Sequence, residues 1–513
     1  MNDLPALLVA LPILGSVVVL LVGLVRSETG WPIAVVASAV QTAAAVTLAV
    51  DAFGSEPVRY VVGGFTAPFG IELVVDGLSA TMAVLVAVVA LGVLGYARRA
   101  GPRSNAFYAT YLLLVAGLTG MSITGDVFNM YVFLEITGLA AYALVASGEG
   151  GRSARAALKY LLVGTVGASL FLLGIGYAYV ATGTLNMADL SAQLAAVGYT
   201  STLVRASFGL LVVGLFVKIA VFPVHTWQPA AYAGAPDTVS GLISALVSTV
   251  AAYALIRIVF TVFTVDFLAA NEFARTVLVA GAVVSIVLGS VLAVTQREIK
   301  RMLAYSSVSQ FGLVVGAIAV ANGTALTGAM IHLVGHAIMK GGLFLTSGLI
   351  AEETGARTVD AYEGLAERTS IGAAAFGVLA LAMVGVPPAV GFVGKWYIAL
   401  GAVEGRAWPL AVVILVSTLL TLAYFARILE RIYFRESTGS TAGADTDVDA
   451  DSGSQTRTAV ADGIGTDPVT EPSAVSTGMR ATVLAAAVLA VVLGVSAFEY
   501  GQLLEPTIQR LLA

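Results

Sequence analysis

About fourteen stretches of roughly 20 mostly apolar residues run through this chain, each long enough to cross a bilayer as a helix. A lipid interior offers no water to backbone groups, so such a chain must satisfy its hydrogen bonds within helices or a closed barrel. The stretches lie near 4–25, 31–53, 75–97, 106–124, 127–147, 156–181, 204–222, 238–263, 275–295, 302–320, 325–350, 371–403, 409–433 and 481–498. Short alternating segments of the β-barrel kind do not dominate anywhere. The predicted fold is an all-α integral membrane protein. Charged residues make up only 11% of the chain, against about 25% in a soluble domain, which excludes an ordinary soluble enzyme.

Basic loop residues are uneven. Arg98, Arg99 and Arg103, then Arg152, Arg155 and Lys159, then Arg297, Lys300 and Arg301, then Arg427, Arg431 and Arg435 fall in loops after odd-numbered spans. The alternate loops hold single arginines such as Arg59, Arg275 and Arg406. Positive loops stay on the cytoplasmic side, so a multi-pass protein of the cell membrane with both termini extracytoplasmic is expected. Asp3, rather than a basic segment, precedes the first apolar run, so no cleavable signal peptide is expected.

Residues 1–435 read as the transmembrane core and 479–513 as a C-terminal transmembrane helix. Between them, 436–478 holds eight acids against the single base Arg457, the composition of a disordered cytoplasmic loop. Its acidity also fits a halophilic source. Residues 57–74 alternate around glycines, as a hairpin would, and 183–203 read as a surface segment.

Lysine and histidine are scarce: five lysines and three histidines in 513 residues. Five of these eight lie inside apolar spans, where a charge costs at least about 2.5–3.5 kcal/mol and marks an ion or proton pathway. His332, His336 and Lys340 are spaced i, i+4, i+8, which stacks them along one helix face. Lys218 precedes Pro223 and Pro229; Lys395 follows Pro387 and Pro388. Helix breaks survive in membranes only where protein or a wet cavity meets the freed backbone groups. Five helices separate the two breaks, so the second is inverted relative to the first, and corresponding broken helices in inverted halves point to a transport site. Two inverted five-helix repeats are predicted, spans 4–8 (about 106–263) and 9–13 (about 275–433).

Among 31 carboxylates Glu135 alone falls near the centre of a span. A buried carboxylate seeks a cation, and Lys218 in the same repeat is the candidate partner. Such a pair can switch between ionic and neutral forms as a proton arrives. His225, just beyond the first break, is expected at the membrane interface. The chain has no cysteine, which excludes disulfides, thiolate metal sites and iron–sulfur ligation. No metal site is expected at His332 and His336, since Lys340 stands where a ligand would be needed. No cofactor is implied, and no basic patch suggests nucleic acid.

The segments FNMYVFLEITGLAAYALVA, LKYLLVGTVGASLFLLGIGYAY, KIAVFPVHTWQPAAYAGAPDTVSG, REIKRMLAYSSVSQFGLVVGA, HLVGHAIMKGGLFL and GVPPAVGFVGKW occur in that order. Together they resemble the proton-conducting antiporter-type subunits of Mrp cation/proton antiporters, respiratory complex I and membrane-bound hydrogenases, over about residues 70–435. Length and the FNMYVFLE segment are most similar to the D-type subunit of Mrp antiporters. The resemblance implies that Glu135 and Lys218 form the regulating pair of one half-channel and that Lys395 ends the other. His332, His336 and Lys340 would connect them, and Lys300 would be an anchoring position. Many relatives carry a lysine or histidine where Thr249 stands here, which leaves a gap in the lateral route. Water held by Ser244, Ser248 and Thr249 would have to bridge it. The expected function is proton movement in a multisubunit sodium/proton antiporter, with other subunits, protons, sodium and the lipid bilayer as partners. The alternatives are a redox-driven pump subunit of complex I-like or hydrogenase complexes, and a non-transporting scaffold.

Overall fold

The computed structural model describes residues 3–54, 56–436 and 475–513. Helices α1 (Leu4–Gly23) and α2 (Gly30–Gly54) lead to strands β1 (Val58–Val61) and β2 (Glu72–Val75), then α3 (Gly77–Ala97). Next come α4 (Asn105–Ile123), α5 (Val127–Ala146), α6 (Gly151–Thr182), α7 (Met187–Val197), α8 (Thr202–Ile219), α9 (Trp227–Gly234) and α10 (Asp237–Arg257). A π-helical turn, Ile258–Phe263, carries α10 into α11 (Thr264–Ala270). The second half holds α12 (Glu272–Thr295), α13 (Ile299–Val320), α14 (Gly323–Thr354), α15 (Leu365–Arg368), α16 (Ser370–Val384), α17 (Val390–Glu404) and α18 (Trp408–Phe434). The described chain ends with α19 (Thr477–Val495) and the amphipathic α20 (Ala497–Leu512). Apart from its ends, the acidic stretch 436–478 lies outside the described residues.

Among the described residues, thirteen helical stretches are long and apolar enough to cross a membrane. The interrupted pair α16–α17 makes a further crossing, so the predicted count of about fourteen is met. Both halves pack in the same order: α4 on α5, α5 on α6, α6 on α8 and α8 on α10; then α12 on α13, α13 on α14, α14 on α17 and α17 on α18. Helices α10 and α14 form the seam between the halves.

The layering follows the sequence. Helices that are apolar on all sides and carry small residues sit innermost: every residue of the most apolar stretch of α10 is buried, whereas α1, α2 and α19 bury under a third. In lipid, helices associate through close packing rather than the hydrophobic effect, and small residues permit it. At the α6–α8 contact a Cβ on Gly214 would stand 2.7 Å from the Gly167 carbonyl oxygen, so these two backbones nearly touch.

The predicted hairpin forms, with Val58 opposite Val75 and Val61 opposite Glu72. It lies at the ends of α3 and α4, where Leu73 bridges Thr124. At the other ends of the helices Lys300 begins α13. Its ammonium donates to the Ala235 carbonyl at 2.7 Å and to Asp237 Oδ1 at 2.9 Å, with Arg357 at 3.5 Å from the same carboxylate. Lys300 thus ties the second helix of the second repeat to the α9–α10 junction of the first. Removing one partner of a buried pair strands the other charge. Lys300→Met is therefore expected to cost about 3 kcal/mol, read as lower resistance to thermal or denaturant unfolding of the purified complex.

Candidate functional site

Helix α8 stops at Ile219 because Ala220 turns into the left-handed region and Pro223 cannot continue the ladder. Lys218 therefore sits in the last turn, at the negative end of the helix dipole. The freed carbonyls find protein donors: Trp227 Nε1 bonds the Val217 oxygen at 2.8 Å and Ser248 Oγ bonds that of Lys218 at 3.3 Å. Tyr160 lies flat on Trp227 at 4.0 Å and meets Tyr142 edge-on at 4.5 Å. That aromatic stack delivers the Tyr142 hydroxyl to Lys218 Nζ, 3.3 Å away, as acceptor.

Glu135, from the middle of α5, places Oε1 3.6 Å from the same ammonium. The Lys218 side chain is 7% exposed and that of Glu135 28%. The carboxylate therefore borders an outward face that also carries Val132 and Leu139. At 3.6 Å the contact is an ion pair without a direct hydrogen bond. The predicted pair is thus assembled in the structure.

The second interruption solves the same problem from the other side of its break. Helix α16 ends at Val384, and Lys395, one turn into α17, donates to the Met383 carbonyl at 2.8 Å and the Val384 carbonyl at 3.1 Å. Each half-helix that precedes a break thus has a lysine at its C-terminal end: Lys218 lies in the last turn of α8, with its ammonium turned to α5, and the Lys395 ammonium reaches the last carbonyls of α16. Spacing along the chain does not reveal this, because one lysine belongs to that half-helix and the other returns to it.

Between the two, α14 carries His332, His336 and Lys340, all at most 1% exposed. Lys340 Nζ donates to the Leu303 carbonyl of α13 at 2.8 Å, beside the Ser307 hydroxyl on the same oxygen. The two imidazole rings are 6.2 Å apart, and His336 lies against Phe311 at 4.6 Å. Neither ring forms a hydrogen bond with the protein, nor does the Gln310 side chain on α13. Buried polar groups of this kind call for ordered water. Gly394 lets α17 approach: a Cβ there would lie 2.9 Å from the Cα of His332.

The three residues assigned to the gap behave differently. Ser248 joins a network, accepting from Gln228 Nε2 at 3.1 Å while Gln228 also reaches the Tyr232 hydroxyl at 3.2 Å. Ser244 and Thr249 turn their hydroxyls onto their own helix, at Gly241 and Ala245. His225 departs from expectation. It is buried within the protein, stacked on Phe222 at 4.8 Å, in the turn between α8 and α9 that runs on along α6, where Tyr160 meets Trp227 and Gly234 meets Ala156.

Tyr142, Gln228, Tyr232 and Gln310 were not singled out from sequence. The signal available was polar residues inside apolar runs, Gln228 and Tyr232 at i, i+4 among them.

Residues 124–421 match the family model described as the transmembrane region of NADH:quinone oxidoreductase/Mrp antiporter proteins. The chain is 44% identical to the NADH-quinone oxidoreductase subunit N of Desulforudis audaxviator, covering 84% of this chain and 87% of that protein. It is 31% identical to the D-type subunit of the Na(+)/H(+) antiporter of Bacillus subtilis, over 73% and 76% of the two chains. Its fold is similar to that of a chain of the Mrp complex from Dietzia sp., with a TM-score of 0.85 and 26% identity over 100% and 99% of the chains.

A side chain at Gly394 would push α17 off α14 and part Lys395 from His332 with every titratable group retained. Gly394→Val is expected to lower proton flux by about tenfold or more, measured in vesicles containing the assembled complex, with normal assembly on native gels.

Proposed function

Because the chain belongs to the NADH:quinone oxidoreductase/Mrp antiporter transmembrane family, we propose that it is the proton-translocating subunit of a multisubunit Na+/H+ antiporter. It conducts protons through two inverted half-channels and, with partner subunits in the cell membrane, exchanges them for sodium. The observation that carries this reading is the repeated one: a buried lysine at the C-terminal end of an interrupted helix, once in each repeat.

In the first half-channel Glu135 sets the state of Lys218. A proton delivered to the carboxylate removes the counter-charge, so the ammonium is released to pass its own proton to water around Ser248 and Gln228. Lys340, His336 and His332 pass protons along α14 to Lys395, which is stabilised as a cation by the Met383 and Val384 carbonyls until it releases its proton into the second half-channel. No atom other than hydrogen changes partner. The similarity to an antiporter subunit of Bacillus subtilis supports coupling to sodium.

A second reading is favoured by the greater identity to a quinone oxidoreductase subunit N. There the same relay is driven by electron transfer in partner subunits. One experiment separates the two and tests the relay. The full operon, expressed in antiporter-deficient cells, is expected to give sodium-dependent proton flux in membrane vesicles. Lys218→Ala and Lys395→Ala are each expected to remove most of it, and Glu135→Ala to slow it about tenfold or more. Flux that ignores sodium but follows an electron donor selects the second reading; undiminished flux in all three variants, normally assembled, overturns the relay.

A further inference from the structure

Two buried charges have no part in that relay. Asp76 caps α3 by accepting from the backbone of Leu78 and Ser79 at 3.0 Å each, and Arg257 of α10 reaches across to pair with its Oδ1. Each residue is only 8% exposed. Arg257 Nε also donates to the Tyr253 hydroxyl at 2.7 Å, which donates in turn to the Ser122 carbonyl at 2.8 Å. A buried ion pair often stabilises no more than apolar packing would, and an arginine within a span is costly. Helix locking alone is a weak reason for it.

Its position offers a better one. Directly above it, under the β1–β2 hairpin, lies a cavity of about 80 Å³ lined by Glu72, Thr124, Asn186, Tyr253, Arg257 and Thr261, among others. That volume holds several waters at about 10–15 Å³ of accessible space each. The Thr261 hydroxyl is buried in the cavity wall with no partner in the protein. Arg59–Glu72 at 3.3 Å and Asn186–Glu72 at 3.4 Å strap the hairpin over it.

Beneath it polar residues recur at every fourth position from the π turn down α10: Thr261, Arg257, Tyr253, Thr249. Thr249 is the neighbour of Ser248, whose hydroxyl bonds the Lys218 carbonyl. The file thus descends from the cavity to the level on α10 at which Lys218 is met. It is also where α10 departs from regular geometry: the π turn Ile258–Phe263 starts at once after Arg257, and Thr264 beyond it has φ +68°. Irregular turns of this kind concentrate at functional sites.

We propose that this file is an access route for protons between the hairpin face and Lys218, closed at rest by the Asp76–Arg257 pair across its neck. With the pair closed, the guanidinium occupies the neck and repels cations; with the pair parted, the Asp76 carboxylate becomes a proton acceptor facing the cavity. Each proton entering is taken from one water and given to the next, so the route gains and loses one proton per transfer. The proposal rests on the role given to Lys218 above.

The chain contains no cysteine, so a single introduced cysteine is the one thiol in this chain once it is separated from its partner subunits on a denaturing gel. Thr261→Cys and Thr249→Cys are introduced separately into the full complex in sealed vesicles. Each is challenged with silver ion from the hairpin face, and the surviving thiol is counted by maleimide after denaturation. Thr261→Cys is expected to react quickly and Thr249→Cys slowly. Adding Asp76→Asn or Arg257→Gln is expected to speed Thr249→Cys about tenfold, the factor that 1.4 kcal/mol of lost closure gives. The double exchange Asp76→Arg with Arg257→Asp returns it to the slow rate.

An unreactive Thr261→Cys overturns the route, and equal rates at the two positions with the pair intact overturn the closure, even where no pair variant assembles. An assembled Asp76→Asn or Arg257→Gln that leaves the Thr249→Cys rate unchanged overturns the closure as well. Labelling is read without flux, so undiminished transport in Lys218→Ala would defeat the proposed function while leaving the labelling result to stand or fall alone.

Discussion

A helix that stops inside a membrane leaves carbonyls that lipid cannot bond, and the arrangement of this protein depends on how two such stops are answered. At the end of α8 the indole of Trp227 and the hydroxyl of Ser248 supply donors, and Lys218 lies in the same turn. At the end of α16 the donor is Lys395 itself. Carbonyl oxygens in a low-dielectric interior favour a cation strongly, so the stop at α16 is both a structural defect and a site that holds the Lys395 ammonium. The aromatic stack Tyr142–Tyr160–Trp227 and the close approach of α17 to α14 at Gly394 serve to keep these sites in place.

The seam between α10 and α14 then decides how the two sites communicate. Gly341 brings α14 against Ala245, where a Cβ would meet the alanine methyl at 3.1 Å. Lys340 is therefore directed to α13 at Leu303, and His336 to Phe311. On the α10 side only Ser248 joins the Lys218 network, while Thr249 is occupied by its own helix and lies toward Tyr253 and Arg257 along the chain. A charged residue at Thr249 would serve both directions; threonine serves neither unaided.

Much of this was legible in the sequence. The length of the apolar runs set the number of crossings, and the cost of charge in lipid made Glu135, Lys218, His332, His336, Lys340 and Lys395 conspicuous. Their partnership could be argued for Glu135 and Lys218 because both are isolated opposites within one repeat. Tyr142 and Gln310 escaped notice because hydroxyl and amide groups cost little enough in an apolar run to be unremarkable there. Asp76 and Arg257 escaped because each lies near the end of its span, where water is the ordinary partner, and 181 residues separate them.

The sequence by itself determined that this chain is a bundle of membrane helices with two interruptions and a handful of buried ionisable groups. Bilayer thickness and the cost of burying charge act on each segment separately. Which carbonyl holds Lys395, which hydroxyl faces Lys218, and which face of α14 meets α13 were decided only in the tertiary structure. Those contacts join helices distant in the chain, and their geometry follows from how closely small residues let the backbones approach.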